Sequence, residues 1–327
     1  MGIGITAVGA YVPPTVVDNA TVAAAAGTTP EWIEERIGIL TRRYAAPHTP
    51  TSELAYAAVM DLLTREPNAL HALSWLILAT STPDQPQPPT AAILQHRLGS
   101  PGVPAFDVNA VCAGWLYAFV TGAALLRAGR PTDTALVVAA DKYSAIIDRS
   151  DPRTAPIFGD GAGAALLAHV PEPYGLLAHR IVTHGEHHHV VRVAAGGTAQ
   201  PLTPGALAAG ADRFAMDGRA TAAYVLATLP DVIRQAVDAA GLDLAAVDRF
   251  VCHQANPRML GSIARILRID PGRVPLTGPE SGNVGAASVP LTLAETHRTR
   301  PIERGEIVVL AAVGGGLTAG AAVLRWY

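Results

Sequence analysis

At 327 residues the chain is long for one ordinary domain. Half of it is hydrophobic and 16% is charged, which favours interior strands covered by helices on both faces. A formal net charge of -3 gives no general attraction to a phosphate backbone, so we expect no nucleic-acid partner. No charge-free run approaches the roughly 20 residues that a membrane span needs, and no secretory leader is evident. A cytoplasmic protein without a membrane span is expected.

The first predicted strand ends near Gly9. A helical stretch around Leu54 to Leu63 then precedes the short apolar run LSWLILAT, from Leu73 to Thr80, which is typical of a buried strand. An amphipathic helix is predicted after it and ends near Gly99. This order of helix, strand and helix is the first half of a pattern that returns later in the chain.

The second half repeats the order, with a predicted helix from Tyr224 to Ala240, the strand VDRFVCHQAN from Val247 to Asn256, and a helix ending near Arg268. The segment FDVNAVCAGW around Cys112 is likewise matched by GPESGNVGAA around Asn283, at an offset of about 170 positions. We infer an internal duplication in which two β-α-β-α halves, residues 1-170 and 171-327, stack their sheets around shared helices.

The two cysteines, Cys112 and Cys252, are too far apart in the chain for paired metal-ligand spacing and too few for a disulfide framework, so a reducing compartment suits them. Cys112 follows a predicted strand that ends near Val108 and begins a small-residue helix. Backbone N–H groups at a helix start carry partial positive charge, which predicts a lowered thiol pKa and a thiolate nucleophile. A packed small residue is the alternative for either cysteine, and the one we favour for Cys252.

Three other patterns bear on chemistry. His253 ends an apolar strand, where side chains usually reach a cleft, and Asn283 lies in a Gly-rich turn into a helix; a structural hydrogen bond and a helix cap are their alternatives. The turn containing Gly316 lacks the Lys of a phosphate-binding loop, so we interpret it as a tight backbone turn. We assign the Gly316 amide and the Cys112 amide as the two donors of an oxyanion hole. The run from His187 to His189 is interpreted as a solvated loop, and no metal site is predicted.

The whole chain resembles the β-ketoacyl-ACP synthase III family, the initiating condensing enzymes of fatty acid and polyketide synthesis. The ordered segments that carry this resemblance are EWIEERIGI near Trp32, DVNAVCAGWLYAF, FGDGAGAALL, HQANPR, SGNVGAAS and GGGLTAG. The resemblance implies an α/β thiolase fold with two duplicated halves in a layered αβαβα arrangement.

The resemblance also implies a catalytic triad of Cys112, His253 and Asn283. The cysteine would accept an acyl group from a thioester of coenzyme A or acyl carrier protein, and a carbanion from a decarboxylated malonyl thioester would then attack it. His253 and Asn283 would donate hydrogen bonds to the malonyl thioester carbonyl. Coenzyme A thioesters are substrates in this scheme, and no permanently bound cofactor is expected.

Substrate-binding positions follow from the same resemblance. Trp32 and Arg36 match positions that hold the adenine end of coenzyme A, with Arg153 as a further candidate; an ordinary amphipathic helix is the alternative. Asn256 is expected to support hydrogen bonds in the cleft. Gln87 aligns with a bulky Phe of acetyl-selective members, which predicts a deeper pocket and a poor acetyl starter, unless Gln87 turns toward solvent.

Three arginines, Arg258, Arg265 and Arg268, recur at helical spacings and are predicted to share one face on which an acidic carrier protein could dock; a solvated face is the alternative. The resemblance further implies a homodimer in which a loop of each subunit reaches the other's tunnel.

Two other functions remain open from the residues. An acyl group on Cys112 could pass to a hydroxyl or amine of a natural product. That transfer needs a general base, and a carboxylate in place of Asn283 would suit this role better. A noncatalytic partner subunit is disfavoured by the retained triad residues. Ordinary biosynthetic thiolases are disfavoured because GGGLTAG lacks their second cysteine.

Overall fold

The structure is a computed structural model that describes residues 1–327. Its strands are β1 Gly2–Tyr11, β2 Val16–Asp18, β3 Thr41–Arg43, β4 Leu73–Ala79, β5 Ala105–Val108, β6 Thr134–Lys142, β7 Asp160–Val170, β8 Gly175–Thr183, β9 Val191–Val193, β10 Phe214–Met216, β11 Arg249–Cys252, β12 Ile307–Gly314 and β13 Thr318–Arg325. Its α-helices are α1 Asn19–Ala26, α2 Pro30–Arg36, α3 Thr51–Leu63, α4 Thr90–Arg97, α5 Gly114–Arg127, α6 Pro204–Ala208, α7 Gly218–Ala239, α8 Pro257–Leu267, α9 Gly278–Ser281 and α10 Ser288–Thr299.

Two larger sheets form the framework. The five-stranded sheet has the order β1-β7-β6-β4-β5, with β4 parallel to β5 and β6, and with β7 antiparallel to β6 and β1. The four-stranded sheet has the order β11-β12-β13-β8, with β11 parallel to β12 and the other pairs antiparallel. Read from β8, the second sheet repeats the order and directions of β1-β7-β6-β4.

The helices form three layers around these sheets. α5 and α10 lie between the sheets and contact both; α3 and α4 pack on the outer face of the first sheet, and α7 packs on the second with α8 beside it. A helix covered on both sides must be apolar all round, and the sequence of α5, GWLYAFVTGAALLR, has few polar residues. At Gly122 of α5, an added Cβ would meet side chains of both β6 and β7 at 3.1–3.3 Å. The predicted αβαβα layering is therefore present.

The two central helices begin beside each other. Short 3-10 turns, Val111–Ala113 before α5 and Gly285–Ala287 before α10, are in contact, and the end of β12 lies against the first of them. β11 ends at Cys252, directly before His253. Segments that are far apart in the chain therefore converge at one end of the central helix layer.

One predicted element ends earlier in the structure, and one predicted correspondence between the two halves is incomplete. β11 ends at Cys252 rather than Asn256, because the Asn256 side chain caps α8 by accepting hydrogen bonds from the amides of Arg258 and Met259. The segment GPESGNVGAA forms the short helix α9 and no strand, so the second half has no counterpart of β5. Asn283 instead pairs with Phe158 through an isolated β-bridge.

Candidate active site

Cys112 lies in a tight turn at the start of α5. The preceding residue, Val111, has a φ of 48°, which is uncommon for a β-branched residue. Gly314, at the end of β12, packs so closely on this turn that an added Cβ would lie 2.5 Å from the Ala110 carbonyl oxygen and 3.0 Å from the Cys112 nitrogen. A side chain at position 314 would therefore displace the cysteine.

Burial is the main cause that raises the pKa of the Cys112 thiol to about 12; the nearby Asp141 carboxylate acts in the same direction, and the hydrogen bond with Tyr143 acts in the opposite one. The lowered pKa predicted from the helix start is therefore wrong for the resting protein, because loss of solvation outweighs the partial charges of a helix end. Cys112 is a neutral thiol at neutral pH, and its proton must leave during the reaction.

His253 follows β11 and is held by a 2.8 Å hydrogen bond from its backbone N–H to the Ala311 carbonyl. Its ring is buried, and burial lowers its pKa to about 4. The ring is therefore neutral at neutral pH and offers one N–H donor and one acceptor. Its Nδ1 atom is buried and has no hydrogen-bond partner in the protein.

Asn283 is fixed by its backbone. Its N–H donates to the Ile157 carbonyl at 2.9 Å, and its carbonyl accepts from the Gly159 amide at 3.0 Å. Its side-chain Oδ1 accepts a hydrogen bond from the Gly285 amide at 2.9 Å. Since this bond uses the acceptor end, the Nδ2 donor end is left for the cavity.

One cavity of about 320 Å³ brings the three predicted triad residues together. Its wall is mostly apolar, as is usual for ligand sites. The predicted substrate-binding residues Trp32, Arg36, Arg153 and Asn256 also line it. Trp32 is 40% exposed and so marks the open end.

The lining modifies one predicted assignment. Gly314 and Gly315 line the cavity, whereas Gly316 does not. Neither the Gly315 amide nor the Gly316 amide donates to an acceptor within the chain, so the cavity lining distinguishes the two glycines. The structure therefore moves the candidate second oxyanion donor from Gly316 to Gly315.

Gln87 does not line the cavity of its own chain and is exposed to solvent. It lies in the proline-rich segment between β4 and α4. Within a single chain Gln87 therefore points to solvent, the alternative considered for it, and it could reach an acyl group only across a subunit interface.

The arginine stripe is only partly helical. Arg258 and Arg265 lie on α8, but the helix ends at Leu267 and Arg268 caps it with a left-handed φ of 57°. The predicted helical spacing to Arg268 is therefore wrong. All three side chains are exposed, and Arg258 reaches toward the Glu34 carbonyl of α2 at 3.4 Å, beside the cavity mouth.

Sequence reasoning missed the polar and aromatic groups behind Cys112. Asp141 and Tyr143 are buried, and Tyr143 stacks on Phe158 with ring centroids 4.4 Å apart. Phe214 meets both rings edge-on. A carboxylate at the end of the apolar run ALVVAAD was the available signal, because a buried charge requires partners.

Two other features lie apart from this site. A larger cavity of about 560 Å³ is lined mainly by polar residues, including Arg43, Arg249 and Arg273, and contains none of the triad. The run from His187 to His189 is exposed, as predicted. None of the helices combines the length and apolar character that crossing a membrane requires.

The layered fold, with a buried cysteine at the start of a central helix, defines a condensing enzyme of the thiolase class. Family models agree. The model of 3-oxoacyl-[acyl-carrier-protein (ACP)] synthase III matches residues 106–185, and that of the C-terminal part of the same enzyme matches residues 237–326.

Relatives match along nearly the full chain. It is 42% identical to the acetoacetyl CoA synthase NphT7 of Streptomyces sp. strain CL190 and 41% identical to the β-ketoacyl-[acyl-carrier-protein] synthase III of Rhodospirillum rubrum, with 98% of each chain covered. The crystal structure of the synthase III from Thermus thermophilus superposes with a TM-score of 0.92 at 38% identity, covering 99% of both chains.

The chain belongs to the β-ketoacyl-ACP synthase III family. It is a thiolase-fold acyltransferase that catalyses decarboxylative Claisen condensation between an acyl thioester and a malonyl-type thioester. The family, fold and reaction predicted from the sequence are confirmed. Simple acyl transfer to a hydroxyl or amine is not favoured.

Proposed function

We propose that Cys112, His253 and Asn283 carry out this condensation through an acyl-Cys112 intermediate. The observation that supports the proposal most directly is that all three side chains line one cavity. In that cavity a thiol, a neutral imidazole and an amide donor are available to a substrate.

In the first half-reaction, the Cys112 sulfur attacks the carbonyl carbon of an acyl-CoA. A new carbon–sulfur bond forms, the bond to coenzyme A breaks, and the thiol proton leaves on coenzyme A. The amides of Cys112 and Gly315 are the proposed donors to the oxyanion that develops on the carbonyl oxygen.

In the second half-reaction, the bond between the malonyl carboxylate and its α-carbon breaks and carbon dioxide leaves. The electron pair forms a thioester enolate, whose oxygen accepts hydrogen bonds from His253 and Asn283. The enolate carbon then attacks the acyl-Cys112 carbonyl, and the departing Cys112 sulfur takes up a proton from solvent, because the original thiol proton left with coenzyme A. Neutral donors suit this step because a carboxylate in either place would repel the enolate.

Coenzyme A is proposed to enter past Trp32, Arg36 and Arg153. A ring and two guanidinium groups at the open end of the cavity suit an adenine and its phosphates. Arg153 is exposed and paired with Asp151 at 2.9 Å, an interaction that costs little to exchange for a phosphate.

The starter is proposed to be a short acyl group. Phe158 and Phe214 line the cavity that contains the Cys112 thiol, and Tyr143 lies behind them, so three aromatic rings limit the depth available to an acyl chain. This differs from the deeper pocket expected at Gln87, which would require the partner subunit. The relatives' names include both a CoA-linked and an ACP-linked product.

For the acceptor we propose malonyl-acyl carrier protein, docked on Arg258 with Arg265 and Arg268 farther along. Arg258 lies beside the mouth, where an acidic partner could bring a pantetheine arm to the cavity. Replacing Arg258 with Glu should then raise KM for malonyl-acyl carrier protein and leave KM for malonyl-CoA unchanged. Equal effects on both would contradict the docking role.

We also propose a homodimer in a reducing cytoplasm. β5 is an edge strand of the five-stranded sheet, and a second copy of β5 could pair with it. Both cysteines are free thiols. Sedimentation that shows only monomer at micromolar concentration would contradict the dimer.

A panel of acyl-CoAs tests the function directly. Purified protein is incubated with each acyl-CoA, weighed intact, and then given malonyl-CoA or malonyl-acyl carrier protein while carbon dioxide release is measured. Acetyl loading on Cys112, followed by carbon dioxide release and a β-ketoacyl product, is expected. Acyl transfer to an added alcohol or amine without carbon dioxide release would refute the proposal.

A further inference from the structure

A buried tyrosine contacts the sulfur of Cys112 from inside the protein. Tyr143 follows β6 in a short 3-10 turn and has no exposed surface. Its hydroxyl oxygen lies 3.8 Å from the Cys112 sulfur and 3.0 Å from the Ser81 hydroxyl. Tyr143 therefore joins the proposed nucleophile to a second hydroxyl.

This chain of hydroxyls ends at a carboxylate. The Ser81 hydroxyl lies 3.1 Å from Asp141 Oδ1, to which the Ser81 amide also donates at 2.8 Å. Three more groups donate to the same carboxylate: the hydroxyls of Thr80 and Thr82 and the amide of Ala286. A carboxylate with this many donors stays an acceptor even though burial raises its pKa.

The proton positions of the resting state follow from this. Ser81 has one hydroxyl proton, and the carboxylate is its strongest acceptor, so the Ser81 oxygen accepts from Tyr143. The Tyr143 oxygen in turn accepts from the Cys112 thiol. All three bonds point away from the sulfur toward Asp141, an arrangement that suits a thiol and does not suit a thiolate.

We propose that Tyr143 and Ser81 form a reversible hydroxyl pair that stabilises the Cys112 thiolate. When the sulfur is negative, the Tyr143 hydroxyl rotates and donates to it, while Ser81 donates to Tyr143 or to Asp141. No proton is transferred between these oxygens; only the direction of the hydrogen bonds changes. The charge-assisted bond then acts each time Cys112 attacks an acyl thioester or is expelled from one.

This inference rests on the proposed role of Cys112 as nucleophile. The other titratable groups that line the cavity are His253, which is neutral, together with Arg36, Arg153 and Tyr224. Lys142 is directed elsewhere, since its ammonium group donates to the carbonyls of Ala46, Pro47 and Thr49. Tyr143 is therefore the side-chain donor found on the inner side of the thiol.

Three variants test the hydroxyl pair of Tyr143 and Ser81. Each is made in a Cys252→Ala background, so that Cys112 is the cysteine that reacts. Alkylation by iodoacetamide at fixed pH measures the thiolate fraction, and single-turnover acyl loading measures the attack. Tyr143→Phe removes the donor and keeps the ring. It should slow both reactions by roughly 10- to 100-fold, the range for one hydrogen bond to a charged group.

Ser81→Ala should act in the opposite direction. It removes the acceptor that Tyr143 uses in the thiol state and leaves Tyr143 free to donate to the thiolate, so alkylation should be as fast as in the parent or faster. Tyr44→Phe is the matched control, because Tyr44 belongs to the same aromatic cluster and has no hydrogen bond to Cys112; it should leave both rates unchanged.

Parent-like rates in Tyr143→Phe would overturn the inference, and so would equal slowing in Tyr143→Phe and Ser81→Ala, which would indicate disturbed packing. The rates also separate this inference from the proposed function. Persistent acyl loading in Cys112→Ala would refute Cys112 as nucleophile, whereas lost loading there with normal rates in Tyr143→Phe would refute only the hydroxyl pair.

Discussion

The two cysteines are alike in burial and different in surroundings. Both have a pKa raised to about 12, with burial as the first cause. Cys252 lies within β11 among apolar side chains, and burial alone perturbs it. Cys112 begins a central helix, lines the cavity, and has the Tyr143 hydroxyl 3.8 Å from its sulfur.

The comparison shows that the resting pKa does not distinguish a reactive thiol from an inert one in this protein. Access to substrate and nearby donors distinguish them, because these act on the charged states that form during reaction. A helix start still favours negative charge on Cys112. That contribution is smaller than the loss of solvation while the thiol is at rest.

Exchanging each cysteine for alanine should give the largest contrast. Cys112→Ala is expected to abolish acyl loading and condensation, because the atom that carries the acyl group is removed. Cys252→Ala should retain both, with some loss of stability from the vacated core volume. Intact mass spectrometry after incubation with acyl-CoA measures the adduct. An adduct on Cys112→Ala that is absent from Cys252→Ala would reverse the assignment.

Asn283→Ala sharpens the comparison by removing one donor from the Cys112 cavity while leaving both thiols in place. Condensation should fall by about 100- to 1000-fold, or roughly 2.7 to 4 kcal/mol in the transition state, as for loss of one oxyanion-hole donor. Acyl loading should change much less. Stopped-flow measurement of each half-reaction checks this, and equal slowing of both would contradict the assignment of Asn283 to the second step.

His253 connects the cavity to the pH dependence of stability. Burial lowers the pKa of His253 to about 4, below the unfolded value of 6.5. The contribution of His253 to the free energy of unfolding is therefore complete above pH 6.5 and is lost as pH falls toward 4. The full loss is about 3 kcal/mol. Urea unfolding across this range should show a steeper acid loss for the parent than for His253→Gln. Identical slopes would show that His253 is not buried neutral.

Alkaline pH tests the similarity of the cysteines. Because both folded pKa values lie near 12 and the unfolded value is 9.0, each thiol stabilises the fold fully below pH 9 and loses that contribution as pH rises toward 12. For each thiol, the free energy of unfolding should fall by at most about 1.4 kcal/mol per pH unit in this range. Cys112→Ala and Cys252→Ala should therefore flatten the alkaline unfolding curve equally, and unequal flattening would break the comparison.

The smallest effect is expected at Gln87, which lies outside the Cys112 cavity of its own chain. Gln87→Phe should change the relative rates for acetyl and longer acyl-CoAs only a few-fold, through the partner subunit if at all. A preference for longer starters in the parent that Gln87→Phe removes would instead support the deeper pocket predicted from the sequence. Competition assays with paired acyl-CoAs measure this.

The sequence by itself determined the layered fold, the family, and the candidate triad of Cys112, His253 and Asn283, through the ordered segments that resemble β-ketoacyl-ACP synthase III. Each triad residue lies within a short segment whose neighbours in the chain define its conformation: a strand end, a helix start or a Gly-rich turn. Local sequence predicts such elements because hydrophobic period and turn chemistry act over a few residues. The duplicated order of elements extended that prediction to the whole chain.

Only the tertiary structure decided the environment of those residues. Burial of Cys112 depends on the packing of α5, the β12 turn and the aromatic cluster, so its pKa could not follow from the helix start alone. The bond between Tyr143 and Ser81 joins positions 62 residues apart. The choice of Gly315 over Gly316 depends on which of the two glycines lines the cavity. Solvation and hydrogen-bond direction are set by groups brought together across the chain, and local sequence patterns do not record them.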